Sequence, residues 1–119
     1  MTELRIITRY FDDIIFLNLK GKIKRGEGVM ILKNAFLENL AFGRKKIVLN
    51  LENLSIDDCI DGSGIGELVS SSKVVDEQGG KLVLLKVAPP LRDLLAITKL
   101  LTYFELAESD EEAIGIVCN

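Results

Sequence analysis

Two apolar, β-branched runs open the chain, LRIITRYF and IIFLNLKG, with Asp12-Asp13 between them. Runs of this kind about a short polar break predict an antiparallel hairpin. From Val29 the period changes: Val29, Leu32, Phe36 and Leu40 recur at helical spacing, and Gly43 supplies the stop. KIVLNL is apolar almost without interruption and predicts a strand covered on both faces, ending near Leu51. A second helix is expected to carry Ile65, Leu68, Val69, Ser72 and Val75 on one stripe and to stop at Gly79-Gly80. KLVLLKV is a further buried strand. Pro89-Pro90, well placed in a first turn, opens a third helix with Leu91, Leu94, Leu95 and Thr98 inward. Ser109-Asp110-Glu111-Glu112 has the capping-box pattern and announces a short last helix.

The order is β-β-α-β-α-β-α-α, an α/β class. From Leu19 onward it forms a pair of strand–helix–strand units, whose crossovers should be right-handed and whose strands should be parallel. With 119 residues and no repeat, low-complexity tract or linker, residues 1–119 are expected to form one domain.

Composition narrows the function. Apolar residues make up 48%, yet no uninterrupted apolar run approaches the roughly 20 residues of a membrane span, and no leader pattern opens the chain. The expected compartment is therefore the cytoplasm, without membrane insertion. Fifteen basic and 18 acidic side chains give a net charge of −3, so no global field favours nucleic acid. Cys59 and Cys118 lack CxxC spacing, and histidine is absent. Ser-His-Asp and Cys-His chemistry and the usual metal ligands are thereby removed. No catalytic residue, metal or cofactor is expected.

In open α/β sheets, ligands gather at the carboxyl ends of the parallel strands. Three connections fall there: Lys20 to Gly28, with Lys20, Lys22, Lys24 and Arg25; Glu52 to Gly62, with Glu52, Asp57, Asp58 and Asp61; and Ala88-Pro89-Pro90. Single charges among these read first as a solvated rim. A basic and an acidic loop on one edge also make a partner-facing surface. DGSGIGE, residues 61–67, offers three readings. As a nucleotide cradle it breaks the G-x-G-x-x-G spacing at the third glycine and stands too far from the preceding strand. As a turn it lets Asp61 or Ser63 cap the helix, with Ile60 and Ile65 anchoring the knuckle on the core. As a phosphoacceptor, Ser63 would gain negative charge at a helix N-terminus, where it is favoured. Cys59 reads as a loop thiol whose neighbours Asp57, Asp58 and Asp61 would raise its pKa.

Taken in order, LKGKI, IVLNL, IDGSGIGEL, GGKLVLLKVAPPLRDLLAITKL and FELAESDEEAI resemble the motifs of the STAS domain, the anti-sigma factor antagonist family. The resemblance covers practically the whole chain. It implies a mixed sheet of four to five strands, an N-terminal antiparallel hairpin followed by parallel strands, flanked by about four helices. It also implies no catalysis. A typical member binds an anti-sigma factor that is itself an ATP-dependent serine kinase of the ATPase-fold type. Phosphorylation of the first serine of D-S-S-G then switches that binding off.

Aligned on that motif, Gly62 stands in the phosphoacceptor slot and Ser63 in the second-serine slot; Asp61, Gly64, Ile65 and Gly66 fit the pattern. Lys24 and Asn50 replace acids of the family, and about three residues around Asp57–Cys59 lengthen the loop. Either Ser63 takes the phosphate from a shifted position, or binding is constitutive or regulated elsewhere. The resemblance implies a partner-binding surface of Lys22, Lys24, Asp61, Gly62, Ser63, Gly64, Ile65 and Glu67, facing an anti-sigma factor or related serine kinase. The alternative is a STAS subunit or sensor module of a transport or stress-signalling assembly without a phosphoswitch. An enzyme using carboxylates such as Asp58 and Asp61 would need a pocket that so small a domain hardly offers. A homodimer through apolar positions on the last helices is left open.

Overall fold

The computed structural model describes residues 4–21, 27–54 and 62–118, the side chains of residues 62–64 aside. Its elements are β1 (Arg5–Phe11), β2 (Ile14–Gly21), α1 (Glu27–Ala41), β3 (Lys46–Leu54), α2 (Gly62–Glu77), β4 (Lys81–Leu85), α3 (Pro89–Ile97), β5 (Glu105–Ala107) and α4 (Asp110–Val117). The hairpin turns on Asp12, whose φ of +54° has the sign that two-residue hairpin loops demand at their first position.

The strands lie in the order β1-β2-β3-β4-β5, with β1 antiparallel to β2 and all other neighbours parallel. This is the mixed sheet of four to five strands that the family resemblance implies; the residue pattern by itself gives four and leaves out β5. Three residues long and pairing only Val83–Leu85 with Glu105–Ala107, β5 is too short to carry a period of its own. β3 also runs beyond the expected end, to Leu54. A register shift between Asn18 and Lys20 sets Lys20 opposite Asn53, so the β2–β3 ladder continues past the bulge.

The central strands separate two cores. Ile15, Leu17 and Leu19 of β2, with Ile47, Leu49 and Leu51 of β3, face a layer contributed by α1, α2 and α3 through Leu32, Phe36, Leu68, Val75, Leu91 and Leu95. Ile14, Phe16, Val48, Val83 and Leu85 face the other way, onto Ala113 and Val117 of α4. Two helix positions depart from the expected stripes. Ser71 rather than Ser72 is buried on α2, and Thr98 is exposed because α3 stops at Ile97. The Thr98 hydroxyl instead donates to the Leu94 carbonyl at 2.9 Å as part of the helix end. Ser109 caps α4 as expected, its Oγ accepting from the Glu112 N–H at 3.1 Å. No helix among the described residues is long and apolar enough to cross a membrane.

At the amino ends of the parallel strands, α2 is tied to β3 through Gly80. A Cβ there would lie 2.5 Å from the Lys45 carbonyl oxygen, which already accepts from the Lys81 N–H at 2.8 Å. Gly80→Ala should therefore cost about 1–3 kcal/mol, as overpacking against backbone does, whereas Gly115→Ala, on open surface, should not destabilise. Urea unfolding of both variants checks this contrast.

Candidate protein-binding rim

Because β2, β3 and β4 run parallel, the segments leaving Gly21, Leu54 and Leu85 emerge on one rim, where α2 and α3 begin. Gly62, Ser63 and Gly64 form the first turn of α2, not a bend ahead of it. Ser63 thus stands within the first turn of the helix, while Asp61 lies outside the described residues. The first turn, Gly62 to Ile65, carries no acidic side chain of its own.

Ile65, expected at the partner face, is only 8% exposed and belongs to the main core with Leu68 and Val75. Its spacing from those two residues, three and ten positions on, places it on the same inward stripe. Gly66 is exposed, and a Cβ built on it would meet nothing within 4 Å among the described residues. Glu67 is half-buried, its Oε2 accepting from the Ser71 hydroxyl at 2.5 Å. Lys22, Lys24 and Asp61, with Arg25, Asp57, Asp58, Cys59 and Ile60, lie outside the described residues. The surface the structure describes therefore consists of the α2 start, exposed Lys20, Glu52 and half-buried Lys86.

Under this rim lies a polar ladder that periodicity could not reveal. Asn50 Nδ2 donates to Asn18 Oδ1 at 2.7 Å, Asn18 Nδ2 donates to the Ile7 carbonyl at 3.2 Å, and the Glu52 N–H donates to Asn50 Oδ1 at 3.0 Å. Three strands are stitched together by two amides, and each amide needs both its donor and its acceptor. This gives a physical reason for asparagine at position 50: a carboxylate there would face Asn18 Oδ1 with no proton to give. Nearby, Lys86 Nζ lies 3.4 Å from Glu52 Oε1, and Arg92 Nη2 lies 2.8 Å from Glu108 Oε2. Both pairs are solvent-exposed and worth at most about 1 kcal/mol each.

The α1–α2 groove, lined by Lys33, Phe36, Leu37, Glu67, Ser70, Ser71 and Val74, holds about 40 Å³. A larger depression, about 550 Å³, lies at the opposite end of the sheet among Lys45, Lys46, Lys81, Asp13, Gly43, Gly79, Gly80 and Cys118. Here the Lys46 ammonium, 2.9 Å from Asp13, holds that carboxyl below its ordinary value by hydrogen bonding and is itself held above its own. Among the described residues no three His, Cys, Asp or Glu side chains are grouped to hold a metal ion.

The STAS domain family model matches residues 6–113. The chain belongs to this family. An anti-sigma F factor antagonist of Paenibacillus polymyxa is 29% identical over 115 residues, covering 94% of this chain and 93% of that protein. Among solved structures, one described as an anti-sigma factor antagonist from Thermotoga maritima superposes with a TM-score of 0.82 at 23% identity, covering 96% and 95% of the two chains. The phosphorylated form of Bacillus SpoIIAA superposes at 0.70 with 20% identity, covering 96% of this chain and 98% of that one. The protein is thus an anti-sigma factor antagonist-like STAS fold, and these relatives carry the name of anti-sigma factor antagonists.

In this STAS domain the amide ladder makes a direct prediction. Asn50→Asp puts two acceptors face to face; turning Asn18 to relieve them sets its oxygen against the Ile7 carbonyl. A loss of about 1–3 kcal/mol at neutral pH should follow, the usual cost of a buried polar group left unpaired, whereas Glu52→Gln, on the exposed pair, should change stability by less than about 1 kcal/mol. Denaturant titration at constant pH measures both.

Proposed function

We propose that this STAS domain is a protein-binding regulatory module that docks an anti-sigma factor, or a related serine kinase of the ATPase-fold type, on the start of α2. The basic loop holding Lys22 and Lys24 and the residues Asp61, Gly62, Ser63, Gly64 and Glu67 complete the docking surface, and Ile65 fixes its position from below. The work would be done by residues 1–119 as one cytoplasmic domain.

One observation carries this reading. Gly66 lies on the exposed side of α2, and its missing side chain relieves no contact with the described residues. Glycine inside a helix costs about 0.5–1 kcal/mol relative to alanine. A bare patch of backbone at that cost is accounted for by a neighbour from outside that approaches closely. Gly66→Ala should accordingly raise stability by about 0.5–1 kcal/mol, seen in thermal or urea unfolding. It should also weaken binding of the anti-sigma partner by about tenfold or more in titration calorimetry. Unchanged affinity in a stabilised variant would remove α2 from the interface.

The switch turns on two positions. Gly62 occupies the slot of the serine phosphorylated in the family, and a glycine cannot accept phosphate. If Ser63 accepts it instead, incubation with the cognate kinase and ATP adds one phosphate by intact mass, and Ser63→Ala abolishes it. If wild type stays unmodified and Gly62→Ser gains the phosphate, docking is retained without the switch. Gly62 favours that second arrangement, a STAS subunit or sensor module of a transport or stress-signalling assembly whose contacts are not governed by phosphorylation here.

A further inference from the structure

Exposed apolar surface gathers along one side of the sheet, away from the rim. Ile7, Tyr10 and Phe11 of β1 are 47%, 61% and 51% exposed, and Phe42, just beyond α1, is 71% exposed. The Arg44 guanidinium lies 5.0 Å from the Tyr10 ring centre and 5.1 Å from that of Phe42, linking these two surface rings. Among the described strands β1 has a neighbour on one side only. An edge of seven residues with apolar side chains is a template for another strand unless charge guards it. Arg9 does not guard it. Its guanidinium is folded back over its own sheet, 4.6 Å from the Phe16 ring centre and 3.5 Å from Asp110 Oδ2.

The hairpin decides which backbone groups face outward. Phe11 and Ile14 flank a two-residue loop and so exchange hydrogen bonds, and by alternation Arg9 and Ile7 direct their groups toward β2. The Ile7 carbonyl accepts from Asn18 of β2, in keeping with that orientation. Ile6, Thr8 and Tyr10 are therefore the residues whose N–H and C=O groups point away from the sheet.

We infer that β1 pairs antiparallel with β1 of a second copy of this chain, about a two-fold axis at Thr8, joining the two sheets into one. The charges on the strand select this arrangement. Arg5 stands at one end and Asp12-Asp13 at the other, so antiparallel pairing brings the basic end to the acidic turn, and parallel pairing would bring like to like. They also select the register. Centred on Thr8, Ile6 faces Tyr10, Arg5 faces the Phe11 ring and Ile7 faces Arg9, with Thr8 opposite itself. Aromatic, β-branched and cation–π pairs of this kind favour strand association. Centring on Ile7 sets Arg5 against Arg9, and centring on Arg9 sets that residue against its own copy; like charges directly opposite are destabilising. Of the registers that align the outward groups, centring on Thr8 overlaps all seven residues of β1, whereas centring on Ile6 or Tyr10 overlaps three; the strand is self-complementary over its full length, which is why the occupant is a second copy rather than an unrelated strand. This inference does not rest on the function proposed for the α2 rim.

Sedimentation velocity on the full chain, from micromolar to millimolar concentration, tests it. Wild type should show a concentration-dependent dimer. Thr8→Lys, which sets two ammonium groups opposite each other on the axis, should raise the dissociation constant about tenfold or more. Because Thr8 is exposed in the monomer, the circular dichroism melt of dilute protein should be unchanged. In a Cys59→Ser, Cys118→Ser background, Thr8→Cys should cross-link on mild oxidation, since hydrogen-bonded antiparallel partners have Cα atoms about 5.5 Å apart, within disulfide range. Ile7→Cys should not. Three results would overturn the inference: a wild-type monomer at every concentration, as an edge reserved for a different protein's strand would give; a dimer indifferent to Thr8→Lys, as pairing through the last helices would give; or preferential cross-linking of Ile7→Cys.

Discussion

Two adjacent parallel strands with no face turned to water constrain everything else in this molecule. β2 and β3 bury Ile15, Leu17, Leu19, Ile47, Leu49 and Leu51 on one side and Ile14, Phe16 and Val48 on the other. Parallel neighbours cannot be joined by a tight turn, so each connection is a crossover carrying a helix. Three crossover helices fill one side, and the terminal α4 is left to close the other over β3, β4 and β5. Once that is so, every strand-to-helix loop opens on one rim and every helix-to-strand loop on the opposite one.

The two ends are consequently unlike in charge. At the amino ends of the strands the chain leaves α1 and α2 through Gly43 and Gly79, at φ of +79° and +78°, and α4 ends at Cys118 beside the same depression. Three helix C-termini meet there, each with a negative dipole end, and none has a basic residue in its last turn. Lys45, Lys46 and Lys81, from the strand starts, supply the missing positive charge, and Asp13 offsets part of it. The depression is thus a compensated end of the fold rather than a docking site for an anion. At the other rim the first turn of α2, Gly62, Ser63, Gly64 and Ile65, contributes no charge of its own.

The parts legible in the sequence are those where burial imposes a period. β1 to β4 and all four helices could be placed because uninterrupted Val, Ile and Leu runs, helical stripes, the proline pair and the Ser109 box each have a local physical cause. What escaped was set by tertiary partners. β5 exists because Leu84 and Leu85 offer an edge to Leu106 and Ala107, and nothing within FELAE announces it. Asn18 and Asn50 interrupt apolar runs as if by accident, and their pairing across strands shows only in three dimensions. The glycines of residues 62–66 read naturally as a bend, since glycine breaks helices; yet α2 begins at Gly62, with Ile65 and Leu68 anchoring its inner side in the core. The same anchoring withdrew Ile65 from the surface on which its neighbours had suggested it would lie.

Geometry also relates the rim to the β1 edge. A two-fold axis through Thr8, normal to the sheet, reverses the direction of every strand in the second copy. The carboxyl ends of β2, β3 and β4 then face one way in the first copy and the opposite way in the second. The α2 starts are carried to far ends of the joined sheet, so a partner at one rim neither touches nor screens the other. Association along β1 would leave each proposed docking rim independent, without the gain that two sites on one face give a bivalent partner. The sheet edge and the rim can be occupied together because the first uses outward backbone groups of an antiparallel strand and the second uses the loops that parallel strands cannot avoid.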